Sequence, residues 1–209
     1  MRTQNIPITP KHVLIIISIN AFIMLIAIVS SLYYMYTVAL TEEGQRLREL
    51  AQSQARTIEA VSKFDYTHHL QHQSTRYEAW EMTLSQIKDA HRSYEGFGFT
   101  GEFTLAREED GEIIFLLSHR HLDLENPKPV SLSTNTAEPM QLALENKSGI
   151  MIGYDYRNVK VLAAYEPVET PIGLLGIVAK IDLDEIQTPF IRSALIATSI
   201  LFLIILAIS

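Results

Sequence analysis

The chain has 209 residues, no cysteine and a formal net charge of −7 at neutral pH. Its length allows one ordinary domain with some additional segments, and the lack of cysteine removes disulfide and thiol chemistry. All 24 Asp and Glu fall between Glu42 and Glu185, while two of the 17 Lys and Arg, Arg2 and Lys11, precede that stretch. The middle of the chain is thus more acidic than the whole, which repels polyanions and excludes a nucleic-acid partner.

Residues Val13 to Thr41 contain no Asp, Glu, Lys, Arg or His. As a helix they extend about 43 Å at ~1.5 Å per residue, more than the roughly 30 Å hydrocarbon thickness of a bilayer. Ile and Leu dominate the run, each favouring insertion by about 0.5 kcal/mol near a helix centre. A signal peptide has an apolar core of only about 7–15 residues, and no small-x-small cleavage site precedes Thr41. Arg2, Lys11 and His12 precede the run and Glu42 and Glu43 follow it, so the positive-inside rule puts the N-terminal tail in the cytoplasm. Tyr33, Tyr34 and Tyr36 then lie near the outer interface, where amphipathic rings collect. A second uncharged run, Ser193 to Ser209, closes the chain and is near the lower length limit for a span. No basic residue follows it, which fits the front part of a longer receptor whose output domain is absent. The expected organisation is a cytoplasmic tail (1–12), a transmembrane helix (13–41), an extracytoplasmic domain (42–190) and a second transmembrane helix (193–209).

After the first span, Leu47, Ala51, Ala55, Ile58 and Val61 recur at steps of three and four, the mark of one apolar helical stripe. That stripe can pack on its own domain or pair with a second copy of the chain; a homodimer is the expectation. Residues 64–75 lose the periodicity and read as a loop or broken helix. A second helix is expected from Arg76 to Tyr94, with Trp80, Leu84, Ile87 and His91 on one face and Met82 beside them. Glu95 to Gly101 is a glycine-rich turn. From Glu102 the period becomes two, and Glu109-Asp110-Gly111 signals a hairpin returning through Glu112 to Arg120. Residues 121–135 read as a long loop and Ala137 to Asn146 as a short helix. Strands follow at Gly149–Tyr156, Val159–Val168 and Ile172–Ile181, the first two joined around Arg157-Asn158. Asp182 and Glu185 have the spacing of a capping box that starts a helix, which Pro189 should kink or break. Strands joined by tight turns pair antiparallel, giving an α+β fold: a five-stranded antiparallel sheet with helices on one face, flanked by two transmembrane helices.

The ending Leu162-Ala163-Ala164-Tyr165-Glu166-Pro167, then Gly176-Ile177-Val178-Ala179-Lys180-Ile181-Asp182 and a second span, resembles the closing strands of the extracytoplasmic, PAS-like Cache sensor domains of bacterial receptors. Thr100 to Arg107 resembles their first strand. The resemblance covers residues 13–209 and implies a small-molecule sensor outside the cytoplasm, in the bacterial inner membrane. It also implies an output of histidine-kinase (two-component), diguanylate-cyclase or chemoreceptor type. The amino-acid-binding Arg-x-Trp-Tyr pattern of that family is missing: Arg76-Tyr77-Glu78-Ala79-Trp80 does not match it.

Gly96-x-Gly98-x-x-Gly101 matches a dinucleotide fingerprint in letters only, because that motif needs a strand before it and a helix after it; a plain turn is the better reading. His68 and His72 share a helical face with His69 beside them, but no third metal ligand has supporting spacing. No Gly-x-Ser-x-Gly elbow is present, so no catalytic residue, metal or cofactor is expected. The expected ligand site is an apolar pocket with a few polar anchors, built from Arg107, Tyr165, Phe103, Tyr154, His119, Arg120 and Tyr94. Arg107 alternates with Phe103 and Leu105 and so should point inward, where an Arg fork suits a carboxylate ligand. The competing reading is that these rings are core and the charges mark strand ends. The expected function is the input region of a membrane receptor, with a small-molecule ligand, the lipid bilayer and a second copy as partners. The alternative is a membrane-anchored extracytoplasmic enzyme or metal-binding protein.

Overall fold

A computed structural model describes residues 10–71, 75–91, 96–118, 120 and 128–208. The chain divides into two compact units: residues 40–185, and the helical segments before and after them. The second unit consists of two helical segments. Each helix containing one is long and apolar enough to cross a membrane. Its apolar side chains face outward, with Phe22, Met24, Leu195 and Phe202 all more than half exposed. Exposed apolar surface on this scale is at home in lipid rather than water. Tyr36 takes a hydrogen bond from Gln187 at 2.8 Å and meets the Phe190 ring edge-on at 5.5 Å, which satisfies the one amide side chain in that stretch of helix.

The 40–185 unit is α+β. Helix α1 (Pro10–Gln71) is continuous, so the break expected at 64–75 is not there through Gln71. A hydrogen bond from Thr83 to Asp65, at 2.8 Å, ties that last part of α1 to α2 (Arg76–His91). Trp80, Leu84 and Ile87 of α2 are buried as expected, whereas Met82 is exposed. The strands are β1 (Glu102–Glu109), β2 (Glu112–Ser118), β3 (Val130–Ser131), β4 (Gly149–Tyr154), β5 (Lys160–Thr170) and β6 (Gly173–Asp182). Helices α3 (Glu138–Leu144) and α4 (Leu183–Ile208) complete the chain.

The sheet has six strands, not five, in the order β3-β2-β1-β6-β5-β4, and every pair is antiparallel. The addition is β3, two residues within the expected loop, too short to show a period. The β1–β2 hairpin turns at Asp110 and Gly111, both with positive φ, as a two-residue hairpin of this type requires. A register shift follows Leu105, where Leu105 faces Leu117 and Ala106 faces Phe115. This bulge lets both Leu116 and Leu117 join one core while Phe115 joins the other, since an extra residue breaks strict alternation.

Helices cover both faces of the sheet, not one. On the first face, Ala55 and Ile58 of α1 and Trp80, Leu84 and Ile87 of α2 pack on Leu105, Leu117, Val168, Leu175 and Ile177. The α1 stripe expected to meet a second copy is therefore taken up by the chain's own sheet. Each such side chain contributes about 1.5–3 kcal/mol on burial. On the second face, α3 lies over Ala106, Ile113, Phe115, Val161, Ala163 and Val178. It sits so close to β6 that a Cβ on Gly176 would come within 2.7 Å of the Met140 sulfur and 2.9 Å of the Ala143 Cβ.

Neither a break at Pro189 nor the expected capping box is found in α4. The helix runs unbroken through Pro189; proline there forfeits one backbone hydrogen bond, and the helix continues regardless. The capping box does not form, because the Glu185 carboxylate accepts hydrogen bonds from Phe99 and Thr100 and Asp182 from Arg157.

Candidate functional site

Three charged side chains are almost completely buried beneath α3: Glu102, Asp155 and Lys180, none more than 2% exposed. Pairing of β1 with β6 sets Glu102 opposite Lys180. Asp155 comes from the β4–β5 turn, which its own side chain builds. Its Oδ1 accepts the N–H groups of Arg157 at 2.8 Å and Val159 at 3.0 Å, an Asx-turn arrangement, and Asn158 takes the left-handed conformation at φ 60°. The other oxygen, Oδ2, accepts from Lys180 Nζ at 2.5 Å and from Arg157 Nε at 2.7 Å. Lys180 Nζ is also 3.4 Å from Glu102 Oε1.

Tyr156 adds an aromatic wall. Its hydroxyl donates to Glu102 Oε1 at 2.8 Å, its ring lies 4.7 Å from Lys180 Nζ, and it tilts against Phe115 at 5.0 Å. Arg157 continues the ion pairs outward to Asp182. Burial pushes the Asp155 carboxyl up, but the Lys180 charge and the hydrogen bonds from Lys180, Arg157 and the Val159 N–H outweigh it and hold the group below its usual range. Burial, then the Glu102 carboxylate, push the Tyr156 phenol far up, so it stays a donor. Burial lowers Arg157, but its bonds to Asp155 and Asp182 prevail and raise it.

A small cavity of about 10 Å³ opens beside this cluster, lined by Lys180, Asp155, Tyr156 and Thr104 and by Pro139 and Met140 of α3, among others. That is room for about one water. Buried charges in the protein interior cost several kcal/mol each unless well paired. A paired, buried cluster of charges beside a void is a candidate functional site. Ala137, ahead of α3, has φ 57°, a conformation that costs a non-glycine residue about 1–2 kcal/mol.

Among the described residues, those expected to bind ligand do not line one common cavity. Arg107 is half-buried, and its guanidinium pairs with Glu109 at 2.8 Å with the side chain about one-third exposed. Phe103 is buried against Phe97. Tyr154 lies exposed on the edge strand β4. Tyr165 borders the α3-side core, and its hydroxyl occupies the space a Cβ on Gly149 would need. Arg120 donates to the carbonyls of Gly101 and Gly98. Tyr94, His119 and His72 lie outside the described residues. His68 stacks on Phe64 at 6.1 Å, and among the described residues no group of three His, Asp or Glu is placed to hold a metal ion. Lys180, Asp155 and Glu102 are not among the expected residues. Lys180 did leave a sequence signal, as the one charge within the strand Gly173–Ile181.

No family model matches the chain, and no curated protein does. Among solved structures it is similar to the ligand-binding domain of the Campylobacter jejuni chemoreceptor Tlp3 in complex with L-valine, at 13% identity and a TM-score of 0.34, covering 77% of this chain and 65% of that one. The same domain with 4-methylisoleucine matches at 14% identity and the same TM-score, covering 73% and 62%. The chain thus spans less than two thirds of the length of these structures.

Proposed function

We propose that this chain is the input region of a bacterial membrane receptor, with the 40–185 unit outside the cytoplasm and a small molecule as its ligand. The observation that carries this reading is the buried Lys180–Asp155–Glu102 cluster beside the cavity under α3, in a domain whose chain leads at both ends into helices apolar enough to cross a bilayer. The two spans hold both termini in the cytoplasm, and an output domain of kinase, cyclase or chemoreceptor type reads the signal.

Ligand pockets typically measure about 300–1,000 Å³, so binding requires α3 to lift from the sheet. The strained backbone at Ala137 and the short span of α3 favour that movement. Lys180, Asp155, Glu102 and Tyr156 supply both signs of charge and a neutral hydroxyl, so they suit a small polar ligand carrying charge. Tyr165 borders the same side.

The test is a thermal-shift screen of the full chain in detergent micelles against small amines, carboxylates and amino acids. A ligand at 100 times its dissociation constant stabilises by about 2.7 kcal/mol, which such a screen resolves. One class should raise the unfolding midpoint, and Asp155→Asn or Tyr156→Phe should remove the rise. A ligand whose shift survives both substitutions places the site elsewhere, and no shift from any class sinks the reading. Labelling of Lys63 and Lys147 by a reagent that cannot enter cells checks the topology.

A further inference from the structure

The glycine-rich turn that resembles a nucleotide fingerprint does hold an anion, and the anion belongs to the chain itself. Phe99 N–H donates to Glu185 Oε1 at 2.9 Å. Thr100 N–H and hydroxyl both donate to Glu185 Oε2, at 2.8 and 2.6 Å. Gly98 has φ 61°, and a Cβ there would lie 2.6 Å from Glu185 Oε1, so a side chain at this position would displace the carboxylate. Arg120 steadies the turn from behind through the carbonyls of Gly101 and Gly98, at 3.0 and 3.3 Å. Glu185 is in the first turn of α4.

This grip is joined to the buried cluster by an unbroken run of polar contacts. Lys180 meets Asp155, and Asp155 meets Arg157. Arg157 Nη2 reaches Asp182 Oδ1 at 2.5 Å. The Asp182 N–H donates to the same Thr100 hydroxyl, at 3.0 Å, that binds Glu185. Asp155 Oδ2 accepts from both Lys180 and Arg157, and Asp182 carries the run on through its carboxylate on one side and its backbone N–H on the other.

We propose that Glu185 is a positioning residue: the turn at Gly98–Thr100 fixes the first turn of α4, and the state of the Lys180–Asp155 cluster sets that grip through Arg157 and Asp182. A ligand that draws Asp155 or Lys180 toward itself loosens Arg157 from Asp182, and with it the Thr100 hydroxyl that holds Glu185. The inference rests on the cavity being the ligand site only for what starts the change; the link itself is built into the fold.

Hydrogen exchange on the full chain in detergent tests it without any ligand. Glu185→Ala should speed exchange of the Phe99 and Thr100 amides about tenfold or more, with Glu185→Asp partly restoring protection. Arg157→Gln, which touches neither amide, should speed the same two while leaving core amides such as that of Ile177 unchanged. Arg157→Lys, which keeps the charge but loses the two-sided fork, serves if the Gln variant does not fold, with a smaller change of the same kind. If Glu185→Ala leaves both amides protected, the grip is wrong. If Glu185→Ala exposes them but the Arg157 variants do not, the link to the cluster is wrong. A loosened turn in the Arg157 variants, with no ligand found in the thermal screen, would keep this inference and remove the cavity as the ligand site.

Discussion

On the face of the sheet under α1 and α2, Leu105, Leu117, Val168, Leu175 and Ile177 form an apolar core with residues of both helices, while Glu166 is buried at its margin and bonded by Gln52. Under α3, Glu102, Asp155 and Lys180 are buried just as deeply but beside a small void, covered by a seven-residue helix with a strained residue at its entry. Both faces exclude water. The first does so chiefly with side chains that gain by burial, while the second adds to its apolar core three charges that lose by burial and recover the loss through each other. The first face has many equivalent solutions, since an apolar core tolerates changes that keep its volume. The second has few, because each charge depends on a partner of opposite sign. The proposed ligand site lies on the α3 side, and the α1–α2 side serves in that reading as its support.

The largest effect should come from taking away the common cation. Lys180→Met leaves Asp155 and Glu102 buried together without it, and removing one partner from a buried pair costs about 3–5 kcal/mol. A urea titration at neutral pH should show this loss together with loss of ligand binding. Leu105→Ala on the other face should cost about 2–4 kcal/mol through the cavity it leaves, yet keep ligand affinity in whatever fraction remains folded. If Leu105→Ala abolishes binding at a temperature where the protein is still folded, the division of labour between the faces is wrong.

The pH dependence of stability sharpens the same contrast. The Asp155 carboxyl is held below its unfolded value, near 3.9, so its contribution is fully present above that pH and is lost as pH falls through the lower, folded value. Urea midpoints measured from pH 6 to pH 3 should therefore decline at the acid end. Asp155→Asn should flatten that decline, and an unchanged slope would remove Asp155 from the account. The smallest effect is expected at Arg107, whose ion pair with Glu109 is partly exposed. Arg107→Ala should cost less than about 1 kcal/mol, as exposed pairs do, and leave the ligand response intact; a lost response would return the site to that strand end.

Much of the local order was legible in the residues. The stripe Leu47–Ile58 announced a helix with one buried face, and Asp110-Gly111 a hairpin, because each depends on neighbours a few positions away. Period and turn chemistry also located β1, β2, β4, β5 and β6 and the helices between them. They did not find β3, which has two residues and no period to show. They misjudged 64–71, where Asp65 is held by Thr83 of another helix, and Glu185, whose partners are 85 and 86 positions earlier in the chain.

The sequence by itself determined which segments are helix or strand, the apolar runs able to enter a bilayer, and the acidic character of what lies between them. Those properties are sums over adjacent residues. Only the tertiary structure decided that β1 pairs with β6 and that α3 closes the second face. That pairing brings Glu102 to Lys180 across 78 positions of chain, and the β4–β5 turn swings Asp155 onto the same ammonium. No local pattern encodes such a meeting, because a buried charge is stable only where the whole fold delivers its partner.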